Sequence, residues 1–378
     1  MFFVFIYLFV SGYLSAENNL NRVFESFPFY DEIYKGDFWN NNFDEITAKW
    51  KDQYKLKQER VFFDNVENVN QDNILINGDQ SYAFIEPNDI PEILGFKPLK
   101  FEIFFDKTGK TNKVKINLWN KGDSPKLLNK SDNPFLRVEK ILESCKTAGI
   151  EFNFRKDRLS SKFKQDSYSA FIGNGLFNFI IEKNEYINLE ISPLQKSEIA
   201  IRNPNELIPD SRNRTKESLF ENLEKNILTN PQGDLVIKNM PMINQGMKGY
   251  CVPATISRVM RYYGFDYDEN QMAKLFSTDA GKGTDLNSLR KGIKALSFGL
   301  PIYPKEINFS ISVIEKYLLR GIPVIWGIRY PSHVRLIVGI NRTKNIIIYS
   351  DSWGENFEFS KMDFNKAKSL TSFAAVLK

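Results

Sequence analysis

The residue in this sequence whose type and position are best suited to chemistry is Cys251, in the last third of the chain. Pro253 fits the first turn of a helix, where a missing N–H costs nothing, and Gly264 is typical of the residue that ends one. Between them, apolar residues recur at helical spacing: Val252, Ile256, Val259, Met260 and Tyr263. The pattern predicts a helix that begins at Cys251. Its dipole and free N–H groups would favour the nucleophilic thiolate.

A nucleophilic cysteine needs a base, and acyl transfer also needs a donor for the oxyanion that forms. Gln245 lies in a glycine-rich loop six residues before Cys251, so its side-chain amide can be that donor. The sequence contains one histidine, His333, which is therefore the candidate base. Each of these residues alone has an ordinary structural explanation, because a lone cysteine or histidine is often a core residue. Their combination favours a catalytic site.

A predicted β-hairpin must bring the base to a carboxylate that orients it. His333 stands immediately before the predicted strand 334–340, and Asp351 follows the predicted strand 345–349. If the hairpin turns about positions 342–343, His333 lies opposite Asp351, and facing Cβ atoms are about 4.5–5.5 Å apart. The carboxylate can then accept from one imidazole nitrogen and leave the other for the thiol. A slip of one residue in the register would separate them.

Several short motifs in this region resemble a known group of proteins. They are Pro241-Met-Ile-Asn-Gln-Gly, Gly249-Tyr-Cys-Val-Pro-Ala, Ser332-His-Val and Asp351-Ser-Trp-Gly. Together they resemble the papain-superfamily cysteine peptidases of the bacteriocin-leader-peptidase-like, or C39-like, branch. The resemblance covers the chain from residue 235 to its end and implies a papain-like α+β domain there.

The resemblance also implies a role for each candidate residue. Cys251 would be the nucleophile, His333 the general base and then acid, Asp351 the orienting carboxylate and Gln245 an oxyanion-hole donor. Trp353 would shield the bond between His333 and Asp351 from water. The expected activity is that of a thiol hydrolase, most directly a cysteine peptidase that cleaves peptide or isopeptide bonds through a thioester.

Two other functions remain open from the sequence. An acyltransferase could use the same triad with an amine in place of water, and a catalytically silent papain-like protein could bind partners without turnover. The expected partner is a peptide or protein substrate, and the oligomeric state is not predicted. No metal or organic cofactor is expected, because one histidine is too few for a typical zinc site.

The composition is that of a globular chain. Of its 378 residues 42% are hydrophobic and 14% aromatic, and the net charge of +5 includes no long basic run, which argues against nucleic-acid binding. The two cysteines do not form a disulfide framework. Cys145 lies in a predicted helix, 136–148, and is predicted to be a buried small apolar residue. A bridge from Cys145 to Cys251 is not expected, because it would silence the proposed nucleophile.

The first sixteen residues are almost wholly apolar or small and carry no charge. This pattern predicts a secretory signal peptide, 1–16, cut after Ala16, so the protein is expected to be exported without a stable membrane span after cleavage. A buried N-terminal strand and an uncleaved anchor are the alternatives.

The rest of the chain is predicted to form two α+β domains joined by a linker. The first, smaller α+β domain spans 17–192, the linker with one helix (216–228) spans 193–233, and the papain-like domain spans 234–378. In the first domain we predict strands at 100–106, 113–119, 149–154, 168–172, 176–181 and 186–191, and a helix at 136–148. In the last we predict helices at 251–263, 268–276, 285–296 and 313–320, followed by an antiparallel sheet.

Overall fold

A computed structural model describes residue 24 and residues 27–53, 56–59, 82–85, 89–106, 108–123, 133–155, 165–194, 223–265, 267–298, 300–330, 332–354 and 357–378. The chain divides into two compact units: the first holds the described residues from 24 to 58 and from 82 to 194, and the second holds residue 59 and those from 223 to 378. The predicted signal peptide and positions 195–222 of the predicted linker lie outside the described residues. None of the described helices is long and apolar enough to cross a membrane.

The first unit is built on an eight-stranded sheet. Its helices are α1 Tyr30–Lys35, α2 Phe43–Trp50 and α3 Pro134–Thr147. Its strands are β1 Leu56–Glu59, β2 Tyr82–Ile85, β3 Lys100–Phe105, β4 Thr111–Asn120, β5 Asn153–Arg155, β6 Asp166–Ile172, β7 Gly175–Glu182 and β8 Tyr186–Pro193. They lie in the order β1-β2-β3-β4-β8-β7-β6-β5, and the pairs from β2 onwards are antiparallel.

Aromatic side chains fill the core of this unit. Phe101, Phe177 and Phe179 are fully buried, and burial of one such side chain stabilises the fold by about 1.5–3 kcal/mol. Cys145 on α3 is part of this core and is fully buried, as predicted. The predicted hairpin is present as β3 and β4, whereas β1 and β2 were not predicted from the sequence.

The second unit carries the candidate site. Its helices are α4 Cys251–Tyr262, α5 Glu269–Leu275, α6 Leu286–Ser297, α7 Ile311–Leu318 and α8 Phe364–Leu370. Its strands are β9 Ile227–Thr229, β10 Leu235–Ile237, β11 Pro304–Glu306, β12 Val324–Ile328, β13 His333–Asn341, β14 Ile346–Ser350, β15 Ser360–Asp363 and β16 Thr371–Leu377. The order is β11-β16-β12-β13-β10-β9, and β14 pairs with β13 and β15.

The predicted α+β class is confirmed, with helices α4 to α7 ahead of most of the antiparallel sheet. The predicted linker helix at 216–228 is wrong in its described part, where a 3₁₀ turn, Leu223–Asn226, leads into β9. Pairing of β9 with β10 supplies backbone hydrogen bonds that overrule the local helical spacing. The sequence analysis also missed β15, α8 and β16.

Candidate active site

Helix α4 places Cys251 at its first residue, where the sequence predicted it. Pro253 lies in the first turn, and Gly264 follows the helix with a φ of 80°, a conformation that favours glycine. The apolar side of α4 packs on β13, and Thr255 Oγ1 donates to the carbonyl of Val334 at 3.3 Å. Cys251 is partly exposed, unlike the residues that follow it on α4.

The hairpin that carries His333 and Asp351 has a different register from the predicted one. Leu336 faces Ser350, and one further residue along this register places Asp351 opposite Arg335. The prediction that His333 faces Asp351 directly is therefore wrong by two residues. The two are diagonal neighbours on one face of the sheet, a separation that long side chains can still bridge.

A β-bulge at Val338 produces this arrangement. The register changes between Ile337 and Gly339, so the pairing of β13 with β14 shifts by one residue from one side of the bulge to the other. Without that shift, the side-chain alternation would point His333 and Asp351 to opposite faces. Gly339 also allows β10 to approach, because an added Cβ would lie 2.5 Å from the carbonyl oxygen of Leu235.

His333 contacts both of its predicted partners. Its Nε2 lies 2.5 Å from Oδ1 of Asp351, which leaves Nδ1 for its hydrogen bond with Cys251. Burial disfavours the charged ring and lowers the pKa, but the hydrogen bonds to Asp351 and Cys251 and their negative charges outweigh it and raise the pKa of His333 to about 9. The proton is therefore retained at neutral pH and lost as the pH rises through about 9.

Three donors point at the carboxylate of Asp351, which is 2% exposed. His333 Nε2 and the backbone N–H of Ser352 contact Oδ1, and Arg335 Nε donates to Oδ2 at 2.7 Å. Burial alone would raise the pKa of Asp351, but the bonds to His333 and Arg335 and their positive charges lower it below its ordinary value. The carboxylate is therefore ionised at neutral pH and acts as an acceptor.

Gln245 is fixed beside Asp351 by its contacts with Ser352. Its backbone N–H donates to the Ser352 carbonyl at 2.8 Å, and its Oε1 accepts from Ser352 Oγ at 2.6 Å. The amide oxygen therefore faces Ser352, and the amide nitrogen faces the carbonyl of Lys248, which can only accept. Nε2 makes a long contact of 3.5 Å with the carbonyl of Lys248, so it retains donor capacity for a substrate oxygen.

A buried arginine that the sequence analysis missed ties the segments of the site together. Arg258, on α4, is 0% exposed. Its Nε donates to the Pro241 carbonyl at 2.6 Å, its Nη1 to the Asp351 carbonyl at 3.1 Å and its Nη2 to Ser350 Oγ at 2.5 Å. One side chain thus links the helix of the thiol to the loop that leads to Gln245 and to the strand end that carries the carboxylate. The available signal was a charged residue between the apolar positions Ile256 and Val259 of α4.

Trp353 covers one side of the histidine, in the position that the resemblance implied. Its ring stacks on the His333 imidazole with the centroids 5.8 Å apart and the planes 23° apart. The structure thus places His333 between Cys251 and Asp351, with a hydrogen bond to the carboxylate, and Ser352 ties Gln245 to the segment that carries Asp351. Among the described residues, no group of three or more His, Cys, Asp or Glu side chains could hold a metal ion.

The α+β arrangement, with a cysteine at a helix start and a histidine on the strand that packs on that helix, agrees with the papain-like fold that the resemblance implied. Residues 237–376 match the model of the Peptidase_C39 like family, which confirms the predicted resemblance for this part of the chain.

A solved structure and a search of curated proteins complete the comparison. The peptidase domain of Streptococcus ComA, a bi-functional ABC transporter involved in a quorum-sensing pathway, is 18% identical, with a TM-score of 0.31. The match covers 37% of this chain and 98% of that domain. No curated protein matches the sequence.

Proposed function

We propose that the second unit is a thiol hydrolase, and specifically a cysteine peptidase that cleaves peptide or isopeptide bonds. The observation that carries this proposal is the row of contacts from Cys251 through His333 to Asp351. A thiol beside a buried, protonated imidazole is held as a nucleophilic ion pair, and a carboxylate on the far side of the ring keeps the ring in place.

In the first half of the reaction the thiolate of Cys251 attacks the substrate carbonyl carbon. The negative charge that develops on the carbonyl oxygen is stabilised by Nε2 of Gln245 and by the backbone N–H of Cys251 at the start of α4. His333 then gives the proton on Nδ1 to the leaving nitrogen. The C–N bond breaks, the amine departs and a thioester remains on Cys251.

In the second half the neutral imidazole of His333 removes a proton from water, and the oxygen of that water attacks the thioester carbon. The same donors stabilise the second oxyanion. The C–S bond then breaks, the acid is released, and the thiolate and the imidazolium are restored. Asp351 accepts from Nε2 throughout, which keeps Nδ1 directed at the sulfur.

The experiment that tests this function is a digest of a peptide library by the full chain, with products identified by mass spectrometry. We expect new peptide termini, and we expect them to disappear when iodoacetamide has alkylated Cys251. Added primary amines would divert the products if the site were an acyltransferase. Absence of products, together with equal labelling of Cys251 and Cys145 by a thiol probe, would favour a binding protein instead.

Replacement of Gln245 by alanine is expected to lower kcat by about 100- to 1000-fold, because it removes one oxyanion donor. The KM should change little, since the donor acts mainly on charge that develops in the transition state. Gln245→Glu is the matched variant of similar shape, and it should be at least as slow because it presents a negative charge to the oxyanion. A kcat within about threefold of the wild type for Gln245→Ala would exclude this role.

A further inference from the structure

Arg335 contacts the same carboxylate as His333, from the same face of β13. Its Nε lies 2.7 Å from Oδ2 of Asp351, while His333 Nε2 lies 2.5 Å from Oδ1. The side chain of Arg335 is 17% exposed and that of Asp351 is 2% exposed, so this ion pair is largely removed from water. The mechanism above gives Arg335 no part.

Aromatic rings fix the orientation of this guanidinium. Its Cζ lies 4.7 Å from the ring centroid of Tyr349 and 6.0 Å from that of Trp326, which is its direct partner on β12. A cation over aromatic faces has little freedom to turn. Because its Nε–H is directional, Arg335 limits rotation of the Asp351 carboxylate, and the plane of that carboxylate determines where Oδ1 meets the imidazole.

We propose that Arg335 is a positioning residue of this site. It holds the Asp351 carboxylate in the plane that His333 requires, and its positive charge beside that carboxylate allows the site to stay reactive at lower pH. This inference rests on the proposed roles of Cys251 and His333. Loss of the cation should therefore affect the pH dependence of the thiol as well as the turnover rate.

Other charged groups also face Asp351 and limit the expected effect. The imidazolium of His333 lies on the same strand, with the thiolate of Cys251 on its far side, and Arg258 reaches from α4 to the Asp351 backbone carbonyl. The charges of Arg258 and His333 remain in an Arg335 variant. Their presence means that the reactive range should become narrower rather than vanish.

The test is the pH dependence of Cys251 alkylation by iodoacetamide in a Cys145→Ala background, where one thiol remains. Arg335→Met keeps an aliphatic chain against Tyr349. We expect the acid limb of its profile, the pH range in which the alkylation rate falls on the acid side, to lie about one pH unit higher than in the parent. Arg335→Lys keeps the charge but not the planar Nε–H. We expect its acid limb to stay within about 0.3 pH units of the parent and its kcat for peptide hydrolysis to fall several-fold at unchanged KM.

Arg290→Met is the matched control. Arg290 Nε also lies 2.7 Å from a carboxylate oxygen, that of Glu306, but both side chains are exposed, on α6 and β11. Its loss should leave the acid limb in place. A uniform fall in alkylation at every pH in Arg335→Met would show a merely structural role and overturn the proposal, as would an acid limb in Arg335→Lys that moves as far as in Arg335→Met.

Two further outcomes are decisive. If Arg335→Met does not fold, as judged by its thermal unfolding, Arg335→Lys decides alone: a full kcat at every pH would overturn the positioning role. If the wild type cleaves no peptide, the proposed function fails, but the alkylation profile of Arg335→Met still measures the effect of Arg335 on the thiol and the imidazole.

Discussion

Peptide hydrolysis by the Cys251→Ala variant is expected to fall by about 10⁵-fold or more relative to the wild type, because no other described group can take over attack on the carbonyl. The variant should still fold, since Cys251 is partly exposed at the start of α4. Cys251→Ser should be nearly as inactive, because a hydroxyl beside the same base is a much weaker nucleophile than a thiol. The measurement is kcat/KM on a peptide found in the library digest.

Cys145→Ala is the matched control for the loss of a thiol. Cys145 is fully buried, and burial raises its pKa to about 11, so it is unreactive at neutral pH. We expect hydrolysis by this variant to stay within about twofold of the wild type once folding is confirmed by its Tm. Equal losses in the two alanine variants would point to a general effect on folding and would contradict the assignment of Cys251.

The second large effect is expected from Asp351→Asn. Three donors converge on this side chain, from His333, Arg335 and the backbone of Ser352. A carboxylate accepts all three, but an amide has one oxygen and an NH₂ group that must face a donor. Either the contact with Arg335 or the contacts on Oδ1 become repulsive, and the imidazolium loses the negative charge of the carboxylate. We expect kcat to fall by about 1000-fold or more, with a smaller change in KM.

Asp234→Asn is the control for this change. Asp234 is 4% exposed and binds Lys361 Nζ at 2.6 Å and Asn341 Nδ2 at 2.8 Å, so it is also a buried, hydrogen-bonded carboxylate of the second unit. Its replacement should reduce the free energy of unfolding by about 1–3 kcal/mol while kcat of the folded protein is retained. A matching loss of kcat in the two variants would mean that stability, not chemistry, explains the effect at Asp351.

The sequence predicted the parts of the site that depend on local signals. Helix α4 begins at Cys251 and ends before Gly264 because proline in a first turn and glycine after a last turn act within a few residues. The buried Cys145 followed from its place on an amphipathic helix. The motif around Asp351 and Trp353 contributed to the C39-like resemblance and predicted that Trp353 lies beside the bond between His333 and Asp351; its ring stacks on the imidazole.

The register of the hairpin could not be predicted, because the bulge at Val338 depends on distant parts of the chain. Gly339 lets β10 approach closely, and β10 lies far ahead of it in sequence. The places of β9 and β16 in the sheet likewise depend on tertiary pairing. Arg258 and Arg335 were missed because a charge within an apolar segment indicates a buried partner but not which partner it is.

The central claim is that Asp351 and Cys251 hold the imidazole of His333 between them as a cation. Because the chain has one histidine, its ring protons can be assigned without ambiguity in an NMR titration. We predict that His333 titrates with a pKa of about 9 in the wild type and markedly lower in both Cys251→Ala and Asp351→Asn. A titration near the ordinary value of 6.5 that neither substitution changes would contradict the account.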